Sequence, residues 1–309
     1  ETVYIVGISN YAVIQVEHAD YRCYNTNQKL SIRRKKNMKK RRSTQIILML
    51  TMLLCLAFCT VSTQAATTAT STNKTTVKNG WKKESAGWCY YVKGKKLTSQ
   101  LKKINGATYY FGANGARKTS WYTVKSGKSY KTMQFASNGK YTGKSKTADA
   151  SMMKKADAVI KSQKISTSLT TDTQKKAALN KLYTYVKKNY KYGRVMGQFG
   201  KGKSLSYAKQ TMLTGKGNCY GYASSFAVLA KRATGLPVRV CWGTSTAFNK
   251  SRSQLHGWTE IKIGSTWYIF DTNAAAYSGR KDVKWYMQNA SSAAMKKVYK
   301  KTASENIIL

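Results

Sequence analysis

The sequence is poor in acidic residues. Only 11 Asp and Glu stand against 55 Lys and Arg among 309 residues, which gives a formal net charge of +44. Such an imbalance predicts attraction to polyanions. Arginine is scarce as well, with six side chains after residue 65, so few forked guanidinium groups are available to recognise bases or phosphates. Because the sequence also carries no nucleic-acid-binding motif, we do not expect DNA or RNA as a partner.

The chain has too few cysteines for disulfide bonds to stabilise the fold. Three of the six cysteines follow residue 65, namely Cys89, Cys219 and Cys241. Three thiols are too few for a disulfide framework. A disulfide bond between Cys89 and Cys241 is one alternative. The other is that Cys241 is a packed residue of a strand. Cys219, Cys241 and His256 lack the close paired spacing of structural zinc sites. The sequence therefore predicts no metal and no cofactor.

A basic cluster followed by an apolar run marks the N-terminal part of the chain. Lys39-Lys-Arg-Arg42 precedes the run from Ile46 to Val61, and small residues before Ala65 suit a cleavage site. This pattern is typical of a secretory signal peptide over residues 38–65. Its apolar run is shorter than the roughly 20 residues that span a membrane. We therefore expect secretion, with no stable membrane span after cleavage.

The segments on either side of this signal are interpreted separately. Residues 1–37 do not fit the secretion pattern and are expected to be an upstream or artefactual segment. Residues 66–78 are mostly Ala, Thr, Ser and Asn, and they are too poor in apolar side chains to pack. This composition predicts a linker.

Aromatic clusters closed by glycine turns recur over residues 79–143. Trp88-Cys-Tyr-Tyr91 and Tyr109-Tyr-Phe111 are followed by a weaker unit at Phe135. Each unit predicts a β-hairpin too small to fold alone, so neighbouring units must stack. The units resemble the aromatic cell-wall-binding repeats of the choline-binding and glucan-binding type. This resemblance implies choline or sugar as the ligand.

The repeat aromatics are the candidate wall-ligand residues. They are Trp81, Trp88, Tyr90, Tyr109, Tyr110 and Trp121. The alternative is that most of them only pack the repeat, because an aromatic cage needs several rings exposed together. With the positive charge, the resemblance predicts cell-wall association, through an anionic wall polymer or through choline or sugar.

Cys219 lies where a helix is expected to begin. Apolar residues recur at spacings of three and four from Ala223 onward, which predicts a helix ending near Gly235 and Pro237. Unpaired N–H groups in the first turn of such a helix favour a thiolate and a developing oxyanion. Two earlier helices are predicted over residues 148–164 and 171–190.

A hairpin is expected to bring His256 and Asp271 together. Two alternating strands flank the two-residue turn Gly264-Ser265. If Ile263 pairs with Thr266, Trp258 faces Asp271 and His256 faces Asn273. His256 and Asp271 then share one sheet face at a diagonal distance of roughly 7–8 Å between backbones.

These three side chains suit thiol acyl transfer. Cys219 would be the nucleophile, His256 the general base and acid, and Asp271 the group that orients the imidazole. The alternative is a small buried cysteine and a packed core histidine, which are common individually. The coincidence of all three favours catalysis.

The motifs Gly217-Asn-Cys-Tyr-Gly-Tyr-Ala223, His256-Gly-Trp258 and Trp267-Tyr-Ile-Phe-Asp271 resemble the transglutaminase-like superfamily of papain-fold thiol enzymes. The resemblance covers residues 150–285 and implies an α+β fold, with a Cys-bearing helix packed on an antiparallel sheet and preceded by the β-hairpin repeats. It implies the triad Cys219, His256 and Asp271. An oxyanion donor upstream of the cysteine is also implied, with Tyr207 and Gln210 as candidates. Residues 286–309 remain unassigned, as a terminal strand or helix.

The sequence thus predicts a secreted thiol enzyme that hydrolyses or transamidates peptide or protein amides. The competing hypothesis is a non-catalytic wall-binding protein whose papain-like domain recognises peptide. The presence of all three triad residues favours the enzyme.

Overall fold

The computed structural model describes residues 79–194 and 199–309, together with three strands within residues 4–25. The predicted signal peptide over residues 38–65 and the linker over 66–78 lie outside the described residues. The chain divides into two compact units, Glu1–Lys74 and Thr75–Leu309. In the first unit, β1 (Tyr4–Ile8), β2 (Tyr11–Gln15) and β3 (Arg22–Asn25) form an antiparallel sheet in that order. Among the described residues, no helix is long and apolar enough to cross a membrane.

The second unit begins with consecutive hairpins. Their strands are β4 (Gly80–Glu84), β5 (Gly87–Val92), β6 (Lys95–Lys96), β7 (Gln100–Ile104), β8 (Ala107–Phe111), β9 (Ser120–Ser126), β10 (Ser129–Phe135) and β11 (Tyr141–Thr147). β7 and β8 are joined by Asn105 and Gly106, both with positive φ, as a tight hairpin turn requires. Sheet β9–β11 also contacts the end of the chain, where Thr132 donates a hydrogen bond to the carbonyl of Leu309.

Four longer helices follow. They are α1 (Ala150–Ser162), α2 (Asp172–Asn189), α3 (Ser204–Thr214) and α4 (Cys219–Thr234). Asp149 caps α1, and Thr171 forms a capping box with Gln174 at the start of α2. The predicted helices over 148–164 and 171–190 are therefore confirmed. The residues just after α2 and just before α4 form a short parallel pair, β12 (Lys191–Tyr192) and β13 (Lys216–Gly217).

Helix α4 has the bounds that its sequence predicts. Asn218 accepts a hydrogen bond from the backbone N–H of Gly221 at 3.0 Å, so it caps the helix and leaves Cys219 as its first residue. Gly235 ends α4 with a φ of 69°, a left-handed conformation that glycine adopts without strain. Phe226 and its neighbours on this helix are fully buried against the main sheet.

The main sheet has the strand order β17-β16-β15-β14-β18. The strands are β14 (Val238–Ser245), β15 (Gln254–Ile263), β16 (Thr266–Phe270), β17 (Gln288–Asn289) and β18 (Tyr299–Asn306). Two short helices, α5 (Thr272–Tyr277) and α6 (Ala293–Val298), complete the fold. All pairings in this sheet are antiparallel, so the architecture is α+β with the cysteine-bearing helix packed on an antiparallel sheet.

The predicted hairpin register is confirmed up to Phe270, but the predicted pairings of Trp258 with Asp271 and of His256 with Asn273 are wrong. Ile263 pairs with Thr266, as expected from the two-residue turn. Strand β16 nevertheless ends at Phe270, and Asp271 caps α5 instead of continuing the strand. Asn273 therefore lies inside α5 and does not pair with His256. A helix forms here because the Asp271 side chain accepts the N–H of Ala274, which the extended chain could not offer.

Residues 286–309, left unassigned from sequence, contain β17, α6 and β18. Strand β18 pairs with β14 along its length, apart from a bulge between Trp242 and Gly243. At the bulge, a Cβ added to Gly243 would lie 2.1 Å from the carbonyl oxygen of Lys300. The two strands can approach this closely only because residue 243 has no side chain.

Cys241 is a fully buried residue of β14, as predicted. It packs with Trp258 and Ile269 in a cluster on one face of the sheet. Cys89 is buried within the hairpins, and both thiols are free. The two cysteines therefore do not form a disulfide bond with each other.

Candidate active site

Cys219 is buried at the start of α4, with 9% of its surface exposed. The N–H groups of Cys219 and Tyr220 belong to the first helical turn and have no acceptor within the helix. Such groups carry the positive end of the helix dipole and can stabilise a thiolate or an oxyanion beside them. The local geometry therefore suits a reactive thiol.

Glycines let other elements approach this helix start closely. A Cβ added to Gly221 would lie 2.3 Å from Oγ1 of Thr211 on α3, and one added to Gly217 would lie 2.5 Å from the same atom. On the sheet, a Cβ added to Gly257 would lie 2.4 Å from the Tyr220 ring. The first turn of α4 therefore packs closely against α3 and against the strand segment that carries His256.

His256 and Asp271 form a hydrogen-bonded pair in the interior. Nε2 of His256 lies 2.7 Å from Oδ2 of Asp271, and both side chains are 1% exposed. Nδ1 of His256 is buried and has no hydrogen-bond partner among the described residues. The Cys219 thiol is close enough to the ring to raise the His256 pKa. The imidazole thus lies between the carboxylate and the thiol.

The Asp271 carboxylate is held by three donors. Oδ2 accepts hydrogen bonds from His256 and, at 2.8 Å, from the hydroxyl of Tyr299. Oδ1 accepts the backbone N–H of Ala274 at 2.8 Å. In addition, the hydroxyl of Tyr183 donates to the backbone carbonyl of Asp271 at 3.2 Å. The carboxylate consequently has little freedom to rotate.

The pair stabilises the imidazolium form. Burial works to lower the pKa of His256, but the charge of Asp271 and its hydrogen bond, with smaller effects from Cys219, outweigh burial and raise this pKa to about 10. Folding thus raises the pKa of His256 above its ordinary value of about 6.5. Below about pH 6.5 the His256–Asp271 pair therefore contributes its full free energy to the stability of the folded protein. The contribution is lost as the pH rises through the folded-state value. The raised pKa favours the protonated ring, which can donate a proton.

Aromatic side chains enclose the imidazole. Trp258 and Tyr299 each lie 6.4 Å from the His256 ring between centroids, and Phe248 meets it edge-on at 5.3 Å. These rings replace water around the His256–Asp271 pair. An electrostatic interaction in such a poorly solvated environment is stronger than in water.

Tyr299 is the part of the site that sequence reasoning missed. It is the first residue of β18, and the segment Lys297-Val-Tyr-Lys-Lys301 shows no pattern that distinguishes its hydroxyl from a surface tyrosine. Its contact with Asp271 spans 28 residues. Burial and the Asp271 charge raise the pKa of Tyr299 well above its usual value, so the hydroxyl remains a donor.

Replacing Tyr299 with Phe is expected to slow acylation of Cys219 about tenfold, the loss of roughly one hydrogen bond to a charged group. Losing this donor concentrates negative charge on Asp271, so the pKa of His256 should rise further. Tyr183→Phe is the matched control, because it removes a buried hydroxyl from the Asp271 main chain but not from its carboxylate. Titration of His256 by NMR should shift only in Tyr299→Phe. Equal effects in both variants would reduce Tyr299 to a packing role.

The two oxyanion candidates occupy different environments on α3. Tyr207 is buried, and burial together with the nearby Cys219 raises its pKa. Its ring also lies edge-on to that of Tyr220. Gln210 is exposed on the same helix. Tyr207 therefore interacts electrostatically with Cys219, as an oxyanion donor beside the thiol would.

The candidate wall-ligand aromatics are distributed between packed and exposed positions. Tyr109 and Tyr110 are buried, whereas Trp88 is 41% exposed. Trp81 contacts both Tyr90 and Tyr109 edge-on, at 5.1 and 4.9 Å between centroids. Trp121 is half-buried.

A cation of the protein itself lies between two of these rings. The guanidinium carbon of Arg117 is 5.6 Å from the centroid of Trp81 and 5.8 Å from that of Trp88. A quaternary ammonium ligand would have to displace this side chain to use both rings. In the described part of the chain, no group of three or more His, Cys, Asp or Glu residues could hold a metal ion.

Part of the chain is similar to a known protein family. Residues 161–272 match the model of the transglutaminase-like superfamily. This match contains Cys219, His256 and Asp271 but ends before Tyr299. No curated protein matches the chain in sequence.

Two solved structures are similar over part of the chain. One, from Cytophaga hutchinsonii and provisionally assigned as a cysteine protease, is 18% identical, with a TM-score of 0.31 and a match covering 50% of each chain. The other is described as a TGase and is 15% identical, with a TM-score of 0.30 and coverage of 43% of this chain and 34% of the other. The chain thus spans half or less of the length of these structures.

Proposed function

We propose that this protein is a thiol acyl-transfer enzyme that acts on peptide or protein amides through Cys219, His256 and Asp271. The observation that carries the proposal is the buried His256–Asp271 pair beside a cysteine at the start of a helix. The family match over residues 161–272 supports the same chemistry. The Cys219 thiol lies close enough to the buried imidazole to help raise its pKa, as a catalytic pair requires.

The reaction follows from the positions of these groups. The Cys219 thiolate attacks the amide carbonyl carbon, and the first-turn N–H groups of α4 stabilise the negative charge that develops on the oxygen. Collapse of the intermediate breaks the C–N bond, and the His256 imidazolium gives its proton to the leaving amine. The neutral imidazole then takes a proton from water or from a second amine, which attacks the thioester and releases Cys219. Water gives hydrolysis, and an amine gives transamidation.

Export and retention at the cell wall form the second part of the proposal. The signal-peptide pattern over residues 38–65 and the large lysine excess support it. The hairpins of residues 79–143, with their exposed Trp88, support a surface-binding role beside the enzyme. An anionic wall polymer, choline or a sugar would be the partner.

The decisive test is the rate of Cys219 alkylation by iodoacetamide as a function of pH, with each labelled thiol located by mass spectrometry. In the wild type, we expect Cys219 to react rapidly well below the free-thiol pKa of about 8.5. In His256→Ala, the low-pH rate should fall by about 100-fold, because the imidazolium no longer stabilises the thiolate.

Cys89 and Cys241 provide controls within the same molecule, since both are free and buried. Their labelling should be slow in both proteins and should not depend on His256. If Cys219 instead titrates like an ordinary thiol in both proteins, the catalytic proposal is wrong. A non-catalytic wall-binding protein with a peptide-recognising domain would then be the better interpretation.

A further inference from the structure

A cavity of about 800 Å³ lies within the second unit, and none of Cys219, His256 or Asp271 lines it. Its walls come from the start of β9, the end of α4, the β15–β16 hairpin and the last residues of the chain. The volume lies in the range of small-molecule and cofactor sites. This cavity is therefore large enough to hold a ligand of several sugar rings.

The charged side chains that line the cavity are all cationic. Six cationic side chains line it: Arg117, Lys118, Lys175, Lys231, Arg232 and Lys262. No Asp or Glu side chain is among the described residues that line it. A concave surface of one charge sign concentrates its field inward, which favours an anionic ligand.

Several of these cations have no carboxylate partner. Arg232 is paired with Asp157, and Lys175 contacts Asp172. In contrast, no ion pair to a described residue involves Lys118 or Lys262. These two lysines therefore remain available to an incoming anion.

Lys118 and Lys231 are held in an environment that disfavours their charged form. Burial lowers the pKa of Lys118, and the charge of Lys175 lowers it further. Burial also lowers the pKa of Lys231, whose ammonium donates to the backbone carbonyls of Gly235 and Leu236 and forms no ion pair with a described residue. A bound anion would supply the missing counter-charge, so binding should stabilise the protein.

Two tryptophans give the cavity surfaces that suit a saccharide ligand. Trp121 and Trp267 both line it and are both partly exposed, and Trp267 lies opposite Lys262 across the β15–β16 pair. The Arg239 guanidinium covers one face of the Trp267 ring, with its carbon 4.0 Å from the centroid, so a sugar ring can use only the rest of that indole together with Trp121. Thr119 and Asn306 offer hydrogen-bonding groups to the sugar hydroxyls. Lysine point charges, rather than arginine forks, are the more numerous cations here.

We propose that this cavity binds an anionic saccharide chain, one whose sugar rings carry carboxylate or phosphate groups. The ring faces lie on Trp121 and Trp267, and the acidic groups lie against Lys118 and Lys262. The site is separate from the candidate active site and does not depend on its chemistry. At this site, part of the net positive charge of the chain would contribute directly to ligand binding.

The test measures binding of the full chain to defined probes at about 0.15 M ionic strength, where long-range surface attraction is screened. Polygalacturonate oligomers supply carboxylates and phosphomannan supplies phosphates, so the two sources of anionic charge are compared directly. Dextran is the neutral polysaccharide. Inorganic polyphosphate and single-stranded DNA are polyanions that are not polysaccharides. We expect binding to one or both acidic saccharides and at least tenfold weaker binding to the three others.

The double variant Lys118→Gln/Lys262→Gln should weaken acidic-saccharide binding by at least about tenfold, because two charged contacts are lost. Lys187→Gln/Lys188→Gln removes the same charge from an exposed part of α2 and should change binding by less than about twofold. Trp121→Leu should also weaken binding, and Cys219→Ala should leave it unchanged. Acetylation footprinting of the wild type should show Lys118 and Lys262 protected by the saccharide, which does not depend on how the variants fold.

Equal losses in the two lysine pairs would mean diffuse attraction and would overturn the proposal. Polyphosphate or single-stranded DNA binding as tightly as the saccharides would also overturn it, in favour of a general anion or nucleic-acid site. A Cys219 that proves catalytically inert leaves this result untouched, so the two proposals fail separately.

Discussion

Replacing Asp271 with Asn is expected to lower the acylation rate of Cys219 by about 10³-fold, because the imidazole is left in the wrong tautomer. The backbone N–H of Ala274 points at Oδ1, so an amide at position 271 must turn its oxygen toward that donor. Its NH₂ group then faces Nε2 of His256, which must accept. The ring proton moves to Nδ1, the nitrogen that has to serve the thiol.

The same substitution should reverse the His256 pKa shift. Without the carboxylate, burial remains as the main influence and holds the pKa of His256 below its ordinary value, rather than at about 10. NMR titration of His256 gives the pKa, since His18 is the only other histidine. Hydrolysis of p-nitrophenyl acetate with burst analysis gives the acylation rate.

Asp157→Asn is the control for this prediction. Asp157 pairs with Arg232 and is also a partly buried carboxylate, but it does not contact the imidazole. It should cost stability without altering the His256 titration. A wild-type-like acylation rate in Asp271→Asn would show that the carboxylate only caps α5.

Replacing Gly243 with Ala should destabilise the protein by about 3 kcal/mol or more, an overpacking effect that rigid neighbours cannot relieve. The new Cβ would lie 2.1 Å from the Lys300 carbonyl oxygen and 2.7 Å from the Thr302 nitrogen. Both atoms are backbone atoms of β18, so relief requires the strand to move. Urea denaturation measures the loss.

Gly279→Ala is the matched control, since an added Cβ there meets nothing within 4 Å. It should be neutral or slightly stabilising, because alanine lowers the entropy of the unfolded chain. Movement of β18 in Gly243→Ala should also displace Tyr299 and slow acylation. An unfolding free energy equal to that of the control would show that β18 tolerates the shift without cost.

Local patterns predicted the elements that carry the nucleophile and the histidine. The apolar spacing after Cys219, together with Gly235 and Pro237, predicted α4, and the two-residue turn predicted the register of β15 and β16. The spacing of residues within one helix or one hairpin is enough for such predictions. They require no knowledge of how distant segments meet.

Contacts between distant segments could not be predicted in this way. The Tyr299 hydroxyl reaches Asp271 only through the pairing of β18 with β14, and nothing in its own segment indicates that partner. The end of β16 was also missed, because an aspartate can continue a strand or cap a helix, and the choice depends on the packing of α5. The repeat aromatics gave the hairpins but not which rings would be buried.

The strand order also sets when the site is complete during synthesis. The central strand β14 has β15 on one side and β18 on the other, and β18 begins with the tyrosine that holds the Asp271 carboxylate. A ribosome releases Cys219, His256 and Asp271 well before it releases residues 299–306. The nascent chain therefore contains Cys219, His256 and Asp271 before it contains the Tyr299 hydroxyl that holds the Asp271 carboxylate. We expect the Cys219 thiol to reach its full reactivity only after β18 has been translated.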